Sequence, residues 1–478
     1  MRVGLAGLLV LLVAAPAAAQ PANLERTKLV VRPAAPPVPA LKYQLLPELR
    51  DTKPGNAVLL YYRAFSPEWS LHRNPDVYKA LDQWYADTTK NPPDELRWVL
   101  RYAALTEIDL GARRQYADWE LTERVRRDGI TLLLPDIQSF RSYANLLRLR
   151  ARFQVIDGEY DKALYTLQTG MALGRHLGES PTLIQALVGM AVSSVMLAEA
   201  EHLIQQPGAP NLYWALTTLP QPYIGLQKPM QGERIMIDAL FPGLRELAKD
   251  LKAGPVSPQQ TQELVSQASQ IFRLGGVMHG PAAPDWEARL MLTAWATKVY
   301  PEAKQALIDL GHDPKQVEAL PVVQVALLHA VLEYDRWFDE MLKWQALPYW
   351  QAHAGLRQME EQFVKLRHNP AGEGWGTVLA HLLLPAVQRV HLASARLDRK
   401  IAALRCVEAL RLYAAAHDGQ LPAGWGDITE VPIPIDPVTG RPFEYKVSGN
   451  TATIYGPPPA GEKPDRANTL LYEVTVQR

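Results

Sequence analysis

The sequence predicts a mainly α protein: stacked helical hairpins followed by a small C-terminal α+β module, a long helix against an antiparallel sheet. Three observations carry this. From about Leu41 to Arg396, apolar residues recur at three- and four-residue spacing in segments too long for strands. Prolines and glycines punctuate those segments, among them Pro92-Pro93, Gly129, Pro135, Gly158, Pro181, Pro207, Pro220 and Pro242. Beyond the turn Asp436-Pro437-Val438-Thr439-Gly440 the apolar period becomes two.

Composition narrows the function classes. The chain has 478 residues, 47% of them hydrophobic and 21% charged, which excludes a disordered, collagen-like or coiled-coil protein. Fifty basic residues balance fifty acidic ones, so no nucleic-acid partner is expected. The single cysteine, Cys406, excludes an internal disulfide framework, cysteine-rich zinc modules and a Cys-x-x-Cys-His haem attachment. No cofactor is expected.

Residues 1–19 read as a signal peptide. Arg2 supplies the positive end, Leu5 to Val13 the short apolar run, and Ala17-Ala18-Ala19 a small-residue cleavage site. The run is shorter than the roughly 20 residues of a membrane span. Retention as an anchor is the alternative. No span is expected after cleavage, since no later stretch reaches 18 uninterrupted apolar residues. The expected location is periplasmic or extracellular. Residues 20–40, with Pro33, Pro36, Pro37 and Pro39, read as an extended tether rather than a strand, because proline donates no ladder hydrogen bond.

Residues 41–395 form the predicted helical body. Asp94 to Asp109 and Ser139 to Ile156 are two clear helical patterns, the second placing Phe140, Tyr143, Leu147, Arg150 and Phe153 on one stripe. Asp157-Gly158 breaks the chain between two helices, and acids follow at the start of the second, where the helix dipole favours them. Thr182 to Pro220 begins with a run that is apolar on nearly every face, as a helix central to a large core would be. Residues 243–285 read as a loop holding one helix.

In the tail, 396–478, Leu397, Ile401, Leu404, Val407, Leu410 and Ala414 form an apolar helix stripe, with Arg396, Arg399, Lys400, Arg405 and Arg411 off it. Gly419 and Pro422 end the helix. Phe443 to Val447, Thr451 to Tyr455 and Leu470 to Val476 read as strands.

Two resemblances follow from these residues. Gly158, Tyr160, Ala163, Leu167 and Gly170 resemble the second half of one tetratricopeptide repeat over residues 144–177; no second copy appears at the 34-residue period such repeats require. Leu410, Tyr413, Gly419, Pro422, Asp436-Pro437, Gly440, Pro442, Phe443 and Tyr445 resemble the soluble part of type II secretion pseudopilins. The Tyr413-to-Gly419 spacing is one residue longer than in that family. The chain also lacks the prepilin cleavage site directly before the helix, so the resemblance does not imply pseudopilin polymerisation. The whole chain resembles exported bacterial proteins that join a helical body, with a segment like Asn211 to Pro220, to such a tail; that family carries no established activity.

Candidate chemistry is sparse. P-loop, zincin, serine-hydrolase and calcium-loop signatures are absent. Glu199 and His202 form a Glu-x-x-His pair on one helix face, the spacing of di-iron ligands, without a partner pair. Glu333, Asp335, Asp339 and Glu340 lie among Trp337, Trp344 and Trp350, the composition of a glycosidase cleft, yet at helical spacing the acids fall opposite a Tyr334–Trp337–Phe338–Met341 stripe. Cys406 reads as a buried inert thiol. Three functions therefore stay open. The first is a non-catalytic exported scaffold with protein partners in the cell envelope. The second is a carbohydrate-active hydrolase with opposed carboxylates. The third is a pseudopilin-like component whose tail helix has a free apolar face.

Overall fold

The computed structural model describes residues 26–65, 75–129, 132–240, 244–249, 251, 254–277, 284–367 and 375–477. The predicted signal peptide, 1–19, lies outside them. Strands β1 (Thr27–Val31) and β2 (Lys53–Asn56) come first, then α1 (Val58–Arg63), α2 (Pro75–Ala86), a 3-10 segment at Asp94–Arg101, α3 (Ala103–Ala112), β3 (Arg114–Tyr116) and α4 (Thr122–Asp128). The central helices are α5 (Ile137–Ile156), α6 (Tyr160–Gly178) and α7 (Leu183–Leu203). Next come α8 (Tyr213–Thr217), α9 (Gln227–Leu240), α10 (Leu244–Lys249), α11 (Pro258–Val277), α12 (Asp285–Asp309) and α13 (Pro314–Glu318). Helices α14 (Val322–Gln345), α15 (Tyr349–Arg367) and α16 (Trp375–Ala416) lead to β4 (Glu444–Ser448), β5 (Thr451–Gly456) and β6 (Leu470–Val476). The protein is mainly helical with a small mixed sheet at its C-terminal end.

The predicted hairpin is α5 and α6, turning at Gly158, whose φ of +73° favours glycine. Phe140, Tyr143, Leu147 and Phe153 of α5 are buried, as their stripe requires. Helix α7 packs on both hairpin helices. It is long and apolar enough to cross a membrane, but most of it is buried in the body. Thr182 caps it, its hydroxyl accepting the Gln185 N–H at 3.3 Å. Helices α6 and α7 meet backbone to backbone. A Cβ on Gly174 would lie 2.2 Å from Ser193 Oγ and 2.8 Å from the Gly189 carbonyl oxygen; one on Gly189 would lie 2.3 Å from the Gly174 carbonyl oxygen. Only glycine permits this approach, which enlarges the van der Waals contact along the seam.

The sheet runs β1-β6-β5-β4. The β4–β5 and β5–β6 pairs are antiparallel, the first joined by the tight turn between Ser448 and Thr451. Ala452, Ile454, Tyr472, Val474 and Val476 are buried at every second position.

Three readings need correction. Residues 20–40 are not simply a tether: β1 pairs in parallel with β6, Thr27 opposite Tyr472 and Val31 opposite Val476, and buries Leu29 and Val31. The prolines do not prevent this because the strand ends before Pro33; the chain then lies on α16, with the Ala34 N–H donating to the Arg411 carbonyl at 3.1 Å. The boundary at 395/396 falls inside α16, a helix of 42 residues. Asp94 to Asp109 is not one helix, since Tyr102 is extended (φ −73°, ψ 111°) between the 3-10 segment and α3. Its ring is buried there, while Leu110 near the end of α3 is exposed.

The pseudopilin-like reading needs a free face on the tail helix. Ile401, Leu404, Val407, Leu410 and Ala414 are all buried, and so are Ala402, Ala403, Cys406 and Ala409 on the other sides. Helix α16 packs against α7, α8 and α14 of the body and against β6 of the sheet.

Candidate functional site

Two of the α14 acids, Asp335 and Asp339, are held by arginines from two neighbouring helices. Arg245 of α10 donates from Nε and Nη2 to the two Asp335 oxygens, both at 2.9 Å, and from Nη1 to Asp238 at 2.5 Å. Arg234 of α9 donates to Asp339 at 2.7 Å and lies 3.5 Å from Asp335. Glu340 pairs with Lys343 one turn further on, and Glu333 is half-buried and likewise partnered. Asp335 and Asp339 are one turn apart on one helix, so they point the same way. Glycoside hydrolysis needs carboxyls facing each other across about 5–10 Å. Asp335 and Asp339 instead lock α14 to α9 and α10. Tyr334, Phe338 and Met341 are buried, as their stripe predicts.

The tryptophans are packing elements. A Cβ on Gly355 would lie 2.2 Å from Trp344 Cε2, so Trp344 closes the α14–α15 hairpin. A Cβ on Gly440 would lie 2.4 Å from Trp350 Cδ2, and Gly440 has φ +68°; Trp350 thus seats α15 on the Asp436–Gly440 turn.

Glu199 of α7 is fully buried. Arg152 of α5 donates to its two oxygens at 2.7 and 2.8 Å, and Arg148 stands 3.4 Å away. Burial, together with Arg152 and Arg148, pushes His202 down to about 4. A pair whose carboxylate is already shared by two guanidinium groups repels a cation. Among the described residues no group of three His, Cys, Asp or Glu is placed to hold a metal ion.

The charges read as lying off the tail stripe are largely inside. Arg399 donates to Asp436 from Nε (2.8 Å) and Nη2 (2.5 Å) and to the Asn468 carbonyl from Nη1 (2.7 Å), with both partners buried. Asp436 also accepts the Val438 N–H at 2.9 Å, which folds the turn seen in the sequence around the ion pair. Arg411 donates to Glu408 at 2.8 Å, to the carbonyls of Ala209 (2.8 Å) and Pro210 (3.2 Å), and to that of Arg32 (3.0 Å). Glu408 in turn accepts the Leu212 N–H at 3.0 Å, and Asn211 donates to the Glu408 carbonyl at 2.9 Å. One guanidinium therefore joins the N-terminal strap, the Asn211 segment and the tail helix. Cys406 is buried beside these groups, and desolvation raises its thiol, as an inert core cysteine requires.

No family model, curated protein or solved structure matches this chain. The tetratricopeptide and pseudopilin resemblances therefore rest on their residues alone.

Sequence reasoning missed Arg399–Asp436, Arg411–Glu408 and the Gly174–Gly189 contact. One signal was present. Between Ile401 and Ala414 only Arg405, Glu408, Arg411 and Tyr413 interrupt an apolar helix, and charges in a helix apolar all round must be paired.

Two isolated carboxyls set the pH response. Burial pushes Asp398 and Glu233 up to about 7, while each accepts a single backbone N–H, from Tyr223 (2.9 Å) and Leu183 (3.0 Å). A raised folded pKa gives stability that is fully present below the unfolded value near 4 and lost as pH rises through 7. Burial pushes His176 and His391 down to about 4, with the opposite sign: their contribution is present above 6.5 and lost as pH falls through 4. Asp398→Asn keeps an acceptor for Tyr223 and removes the charge. Its melting temperature relative to wild type is expected to be higher at pH 8.5 than at pH 5; an equal difference at both pH values would contradict the assignment.

Proposed function

We propose that this chain is an exported, non-catalytic scaffold of the cell envelope that works by binding other proteins. One observation carries the reading: Asp335 and Asp339, two of the four acids weighed for hydrolysis, are bonded to Arg234 and Arg245 and serve to join helices. The leader-like residues 1–19 support export. Two surface hollows, of about 600 and 400 Å³, are lined by no carboxylate, which leaves paired-acid chemistry without a place there.

The test is crosslinking of the full-length chain in the envelope fraction, followed by purification and mass spectrometry, beside turnover assays on peptidoglycan and soluble polysaccharides. The expected result is a saturable, stoichiometric complex with an envelope protein and no turnover. Glycan cleavage that Asp335→Asn abolishes while melting stays unchanged would overturn the proposal.

A further inference from the structure

A surface helix of a folded protein normally turns polar residues toward water. Helix α7 does so only in its last turn, with Glu201 and His202. From Ile184 to Ala198 its half-buried positions are Ile184, Leu187, Ala191, Ser194, Val195 and Ala198, which fall within an arc of about 100° at 3.6 residues per turn and carry no charge. The stripe runs roughly 21 Å along the helix.

Beside it lies the hollow of about 400 Å³, within the size range of small-molecule sites. Its second wall is a stripe of α16: Ala393, Arg396, Leu397 and Lys400. Leu470, at the start of β6, closes one end. Met190 adds to the apolar part of the lining, and Arg396, Arg399, Lys400 and Thr469 supply its polar part; Arg399 is buried and bonded to Asp436. Lys400 is paired with Glu201 at 3.2 Å. Arg396 is exposed and makes no hydrogen bond or ion pair among the described residues. The acid that attracts it, Asp465, accepts the N–H groups of Ala467 (2.6 Å) and Asn468 (2.8 Å) on Oδ1 rather than bonding to Arg396.

We propose that this groove binds one medium-chain fatty acid, its acyl chain along the α7 stripe and its carboxylate on Arg396. Charge complementarity selects an anionic head, and the uncharged length of the stripe selects a linear alkyl chain over a compact ligand. This goes beyond the scaffold proposal and does not rest on it.

The experiment is calorimetric titration of the full-length chain with dodecanoate, decanoate and octanoate below their micellar concentrations, with dodecyltrimethylammonium as the cationic control. One site per chain is expected, with affinity falling roughly tenfold for each two methylenes removed. Ala191→Trp, which fills the groove, is expected to abolish binding. Arg396→Glu is expected to weaken it tenfold or more with melting unchanged. Should Ala191→Trp not fold, Ser194→Trp, nearly one turn further along the same stripe, carries the same reading. Four results would overturn the proposal: no saturable binding, equal binding of the cationic amphiphile, binding unaffected by the groove-filling variant, or a concentration-dependent dimer that Ala191→Trp dissolves in the absence of fatty acid. The last would assign the groove to a second copy.

Discussion

Arg411→Met lowers the unfolding free energy by about 3–5 kcal/mol, the range for removing one partner of a buried ion pair. The substitution keeps the aliphatic bulk but leaves Glu408 buried and uncompensated. It also orphans the carbonyls of Arg32, Ala209 and Pro210. Desolvation already pushes the Glu408 carboxyl upward, so without Arg411 that side chain would take up a proton rather than stay charged. Chemical denaturation measures the loss. A second readout is cleavage within residues 26–40 by a protease under native conditions, expected to accelerate because the strap loses one of its anchors on α16. The double variant Arg411→Met/Glu408→Leu is expected to cost less than the single one, since no unpaired charge remains. A cost under about 1 kcal/mol for Arg411→Met would show that the hub is not holding the three segments together.

Gly189→Ala is the second large effect, about 3 kcal/mol destabilising, at the upper end of overpacking. An exposed glycine in a helix gains about 1 kcal/mol from alanine through propensity. Here the added methyl meets the Gly174 carbonyl oxygen at 2.3 Å, a backbone atom that no side-chain rotation relieves. Helices α6 and α7 must separate, and their seam is the most extensive helix contact in the body. Gly225→Ala is the control: nothing lies within 4 Å of its Cβ position, and the change is expected to stay within about 0.5 kcal/mol. Equal melting temperatures for the two variants would contradict the close approach.

Local signals were legible wherever a residue type limits the backbone by itself. Gly158 placed the α5–α6 turn, Gly419 (φ +77°) the end of α16, and the alternation from Leu470 to Val476 a strand with one buried face. Long-range partners were not legible. Nothing in Leu29 and Val31 announces pairing with a strand some 440 residues later, and the prolines after them suggested a tether. The arginines of α16 sit at spacings that place them on different helix faces, so each looked solvated until its partner arrived from a distant loop. The α14 acids posed the reverse problem. Clustered carboxylates among tryptophans have the composition of a cleft, and only the approach of Arg234 and Arg245 from other helices shows that they are joints. Likewise Glu199 and His202 have a metal-ligand spacing, while Arg152 and Arg148, about one α-helix away in sequence, take the carboxylate first.

The common thread is that buried charge serves assembly here, binding the N-terminal strap, helical body and C-terminal sheet into one cooperative unit. Native-state hydrogen exchange read by mass spectrometry tests this most directly. The amides of β1, of β6 and of residues 401–414 are expected to open only together with α5–α7, at the free energy of global unfolding. Exchange through β1 and the sheet while α5–α7 stay protected would show two independently opening parts, and would contradict the account.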